Sequence, residues 1–149
     1  MLFLIPIIAF MGFISGYLLK KYIPEEQKEA KPYLFWAEKI LLSLLLFFLL
    51  YTSFSLSLFS LIFFCAGIVL GFFLQEIYLS LGIALLGLDF LPSVFVFILG
   101  LVKGEKHILK NALFFFLPFL LLLLPLPSKY TTLFAAGGIC IYILRGKKK

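Results

Sequence analysis

Two carboxylates, Glu76 and Asp89, are the only acidic or basic residues between Ile40 and Val102. An ionisable side chain in so apolar a stretch is costly, so each calls for a function or a partner. Asp89 suits a cation or proton site, or the counter-charge to a basic group. It equally suits the N-cap of a helix starting at Phe90, because Asp caps well and Pro92 fits a first helical turn. The two roles are compatible. Glu76, beside Gln75 and close to Tyr78, reads as an interfacial carboxylate or as a second member of the ion or proton site. On one straight helix Glu76 and Asp89 would lie about 20 Å apart. They meet only if the chain folds back between them.

A second set of candidates is basic. Lys103, Lys106 and His107 share a short polar stretch with Glu105 and Lys110, and ammonium groups with a histidine favour anions such as a lipid headgroup phosphate. His107 has no second His or Cys at ligand spacing, so no metal site is expected. Cys65 and Cys140 are isolated in apolar surroundings and read as small fillers. The chain carries no H-E-x-x-H, Walker A, dinucleotide-binding or G-x-S-x-G pattern, and no cofactor is expected.

Small residues recur at helical spacing in Gly12/Gly16, Gly67/Gly71, Gly100/Gly104 and the run Ala135–Gly138. In lipid such residues let helix backbones approach closely, first within a chain and then between copies. The hydroxyls of Thr52, Ser53, Ser55, Ser57 and Ser60 either line a polar path or bond back to their own helices.

The elements that must position these groups follow from composition. Of the 149 residues 64% are hydrophobic and 13% charged, with mean hydropathy +1.18, against about half and one quarter in a soluble domain. About 20 apolar residues cross a bilayer core, so Ile40–Val102 must cross several times. Backbone polar groups in lipid must pair internally, and the Leu- and Phe-rich runs lack strand alternation. The expectation is all-α: a single polytopic integral membrane bundle of about six to seven short transmembrane helices, its surroundings the lipid bilayer. The net charge of +6 comes from Lys and Arg just beyond apolar segments, where they orient the protein in a membrane rather than bind nucleic acid.

Expected spans are Leu2–Leu19, Leu34–Tyr51, Asn111–Leu126 and Tyr130–Leu144, with Pro118 kinking the third. The first reads as a retained span, since its lysines follow it and no small-x-small cleavage site stands out. The stretch Lys20–Pro32 reads as a solvated connector, and Tyr33, Phe35 and Trp36 as an interfacial belt. Between Ser53 and Val102 lie either three short crossings, including Phe72–Leu88 and Phe90–Val102, or one crossing and a re-entrant hairpin around Asp89. Both arrangements put every Lys and Arg except Lys129 on one side, which the positive-inside bias favours, with the N-terminus outside and the C-terminus cytoplasmic. Seven short spans is the simpler of the two.

Three activities are consistent with this reading. The first is a small-solute, cation or proton carrier or channel, acting as a homo-oligomer through Asp89 and Glu76. The second is a non-catalytic subunit or assembly factor of a membrane complex. The third is a lipid-headgroup-modifying enzyme using Lys103, Lys106 and His107.

Overall fold

The computed structural model describes residues 4–53, 57–74, 76–87, 90–104, 107–123 and 127–145. All regular structure in these residues is helical. The helices are α1 (Leu4–Tyr22), α2 (Pro24–Ser53), α3 (Leu58–Leu74), α4 (Ile77–Ala84), α5 (Phe90–Lys103), α6 (Ile108–Phe116) and α7 (Ser128–Arg145). Short 3₁₀ turns, Leu85–Gly87 and Leu117–Leu123, follow α4 and α6. Two stretches, Leu4–Tyr22 and Glu29–Ser53, are each long and apolar enough to cross a membrane.

The expected connector at Lys20–Pro32 is largely helix. Pro24 opens α2, where a missing N–H costs nothing, and Glu25 and Glu26 occupy the first turn, where the helix dipole favours acids. Pro32 is carried inside the helix. Tyr33 and Trp36 project outward on the next turn. The expected span Phe72–Leu88 is divided instead. Phe72 closes α3 with its neighbours, and Glu76 is extended (φ −105°, ψ 99°) ahead of α4. At Pro118, where a kink is expected, the α-helix instead stops at Phe116 and tightens into 3₁₀ geometry, since proline cannot donate to the carbonyl four residues back.

Glycine contacts set the direction of each element. Gly12 abuts Phe97 and Gly16 abuts Gly100 and Leu101, so α1 and α5 run parallel. Gly67 abuts Phe134 and Gly71 abuts Gly138, so α3 and α7 run parallel as well. A methyl at Gly12, Gly16, Gly67 or Gly100 would collide with backbone of the facing helix. Gly104, at φ +40°, ends α5 in left-handed geometry against the Gly16 carbonyl. The hydroxyls of Ser53 and Thr132 bond across at one end of α2 and α7, and Lys39 meets Tyr142 and Ile143 at the other, so these two are antiparallel. Gly82 abuts Phe115, and Glu76 pairs with Lys110, which sets α4 parallel to α6.

Successive helices therefore alternate in direction. The ends of α1, α3, α5 and α7 gather with the starts of α2, α4 and α6. That end holds Lys20, Lys21, Lys39, Lys103, Lys110 and Arg145. Helix α7 is central, packed on α2, α3 and α4. A ring cluster of Phe10, Phe13, Tyr78, Phe115, Phe116 and Phe119 joins α1, α4, α6 and the 3₁₀ turn after α6. Helices α4 and α5 are short, about 12 and 21 Å at 1.5 Å per residue. They leave and return to the same end of the bundle.

Candidate functional site

A buried polar cluster lies where α2, α4, α5 and α7 meet, near the basic end. It begins with α2, whose inward face carries Leu42, Leu45 and Leu49 at helical spacing. Continuing that row one turn toward the start of the helix reaches Glu38, so the row that builds the core also buries a carboxylate. Lys103, the last residue of α5, faces it with Nζ 3.9 Å from Glu38 Oε1. The two side chains are only 2% (Lys103) and 6% (Glu38) exposed.

Two tyrosines enclose the ammonium. Lys103 Nζ lies 4.7 Å from the ring centre of Tyr78 on α4 and 4.8 Å from that of Tyr142 on α7. Ring faces carry partial negative charge and attract cations, more strongly where water is excluded. Tyr142 Oη also donates a 3.1 Å hydrogen bond to Glu38 Oε1. Lys39, half-buried beside Glu38, donates to the carbonyls of Ile143 (3.1 Å) and Tyr142 (3.4 Å). It thereby satisfies the last turn of α7, whose carbonyls lack intrahelical partners. Arg145 likewise donates to the Phe72 carbonyl at the end of α3, at 3.1 Å. A charge pair and two rings from four helices thus form one compact group with its own supporting bonds.

The candidates from sequence are placed as follows. Lys103 turns inward, onto Glu38 and the rings, and not toward the surface. Lys106 and Asp89 lie outside the described residues; α5 begins at Phe90, the residue after Asp89. His107 is exposed ahead of α6 and makes no side-chain capping bond. Glu76 does not cap α4 with its side chain and accepts from Lys110 at 2.6 Å, in a pair whose lysine is 59% exposed. Glu76 is thus a rim residue, two positions before Tyr78. Gly12, Gly16, Gly67, Gly71, Gly100 and Gly104 all face other helices of the same chain. Thr52 bonds back to the Phe48 carbonyl, and the Ser57 and Ser60 hydroxyls bond each other. Among the described residues no group of His, Cys, Asp or Glu could hold a metal ion. An apolar groove of about 510 Å³ on α3, lined by Val69, Leu70, Phe73 and Phe134, offers no polar group for chemistry.

Glu38, Tyr78 and Tyr142 are site residues that reading the sequence for lone charges passed over. One signal was present: Glu38 already falls inside the expected span Leu34–Tyr51, and an acid within a span invites a functional reading. The chain matches no protein-family model, no curated protein and no solved structure.

Proposed function

We propose that this chain is a polytopic membrane protein that carries a proton or small cation by way of the Glu38–Lys103 pair. The observation that carries the reading is that pair itself: a carboxylate and an ammonium, nearly fully buried, at the junction of four helices. Ionisable groups held inside a membrane bundle belong most often to ion or proton pathways. A carboxylate with an internal counter-cation can also exchange that cation for an incoming one without a bare buried charge arising.

The membrane setting is supported by what the bundle leaves outside. Phe47, Phe59, Phe73, Phe90 and Leu109 project from α2, α3, α5 and α6, with Phe73 76% and Leu109 88% exposed. Apolar surface spread over so many elements is what a bundle in lipid presents to its surroundings. Helices α3 and α7, of 17 and 18 residues, reach about 26 and 27 Å, close to a hydrocarbon core of about 30 Å. The alternating directions and the gathering of basic residues at one end fit an N-terminus outside and a C-terminus in the cytoplasm. The α4–α5 pair returns to its starting end, as that orientation requires, whether it crosses fully or enters as a hairpin. The glycine faces are spent inside the chain, so a homo-oligomer would have to form through other surfaces. With Lys103 withdrawn from the surface, an enzyme working on headgroups through that lysine loses support.

The test is flux in proteoliposomes of the purified protein, driven by imposed proton, sodium and potassium gradients. Glu38→Gln is expected to abolish the conducted flux, and Lys103→Met to change its rate or coupling. Wild-type vesicles no leakier than empty ones for all three ions, or unchanged flux in Glu38→Gln, would remove the reading.

A further inference from the structure

The surroundings of Lys103 have the chemistry of a receptor for a primary ammonium group. A carboxylate stands on one side at 3.9 Å and two tyrosine rings present their faces at 4.7 and 4.8 Å. The carboxylate is oriented by Tyr142 Oη, whose ring is also one wall of the cage. Aromatic walls with a nearby acid are the general solution to ammonium recognition, because they offer negative potential without the hydration shell a bare carboxylate would need. Lys103 enters from the last position of α5, immediately before Gly104, where the backbone turns left-handed at φ +40°. The cation is therefore delivered from the end of a helix rather than from its middle.

We propose that Glu38, Tyr78 and Tyr142 form a binding site for primary ammonium compounds, and that Lys103 is its tethered occupant. An amine entering from the basic end would take the place of the lysine head group, with no change in the number of charges buried. As a statement of substrate class this rests on the carrier reading; as a binding site it stands on the geometry alone.

The test uses the fragment that Lys103→Ala removes, n-propylammonium, on the full-length protein in detergent. Thermal unfolding of Lys103→Ala is followed against rising n-propylammonium, with the uncharged n-propanol as comparator. A saturable rise in Tm of several degrees is expected with the amine and not with the alcohol. No such rise is expected in Glu38→Gln/Lys103→Ala, which lacks the carboxylate. Absence of a rise in Lys103→Ala, or an equal rise in the double variant, overturns the proposal. If Lys103→Ala is recovered only when the amine is present during extraction, that recovery is itself the expected rescue. If it is recovered under neither condition while Glu38→Gln/Lys103→Met is, the cage holds a cation only through the chain, and the proposal fails. The two readings fail separately. Amine binding in Lys103→Ala without ion flux in the wild type retires the carrier and keeps the site. Proton or sodium flux without amine binding does the reverse.

Discussion

At 3.9 Å the Glu38–Lys103 attraction is offset by the cost of taking both charges out of water, so the pair need contribute little net stability. Breaking it is another matter. Lys103→Ala or Glu38→Ala takes away the opposite charge that faces a buried one, and each is expected to lower stability by about 3–5 kcal/mol. The neutral double variant Glu38→Gln/Lys103→Met should recover most of that loss. A double-mutant cycle of Glu38→Gln and Lys103→Met, singly and together, on thermal unfolding in detergent measures the coupling, and additive losses would mean the two do not act as a unit. Tyr142→Phe removes the hydrogen bond its hydroxyl gives Glu38. Its expected cost is about 1.5–3 kcal/mol, since bonds to charged groups exceed neutral ones. A loss well below that in the same assay would place the Glu38 carboxylate among other donors.

Two helix pairs, α1 with α5 and α3 with α7, are packed backbone to backbone through glycine. Such contact suits a bundle in lipid, where apolar side chains gain nothing by leaving one oily surface for another and close packing must hold the helices together. A methyl at Gly12 would land on the Phe97 carbonyl and one at Gly67 on the Phe134 carbonyl, and neither obstacle can rotate away. Gly12→Ala and Gly67→Ala are each expected to part the helices and cost about 1–3 kcal/mol. Met11→Leu, next to Gly12 but outward-facing, should unfold like the wild type. Should both alanine variants match the wild type, the close approach is not what holds these pairs. The glycine spacing was legible in the sequence, but which helix each stripe meets was not, since one motif fits any other equally well. Helix α2 shows the opposite failure. Its charged first turns and Pro32 resemble a loop in composition, yet Pro24 and two acids at a helix start are start signals.

For the molecule as a whole, the membrane orientation proposed above makes a claim about sides. Lys20 closes α1 at the basic end, and Lys129 opens α7 at the far end. With Cys65 and Cys140 replaced by alanine, Lys129→Cys is expected to react with an impermeant thiol reagent added to intact cells. Lys20→Cys is expected to react only after the membrane is opened. Equal labelling of both from outside would contradict the orientation, and the reverse pattern would invert it.

The sequence by itself determined that the chain is helical and rich in apolar surface. It also marked Pro118 as the place where a helix must change, and the glycine stripes as places where backbones could touch. These are local or compositional properties: hydropathy sums along the chain, proline lacks a donor wherever it sits, and glycine lacks a Cβ in any setting. Only the tertiary structure decided that Glu38 faces Lys103. On a helix apolar all round, nothing in the sequence says which side is inside, because lipid and core accept the same residues. The row Glu38–Leu42–Leu45–Leu49 becomes an inward face only once α5 and α7 lie against it. Lys103 illustrates the same point: next to a polar loop it reads as a surface cation, and the packing of α4 and α7 turns it into a buried one.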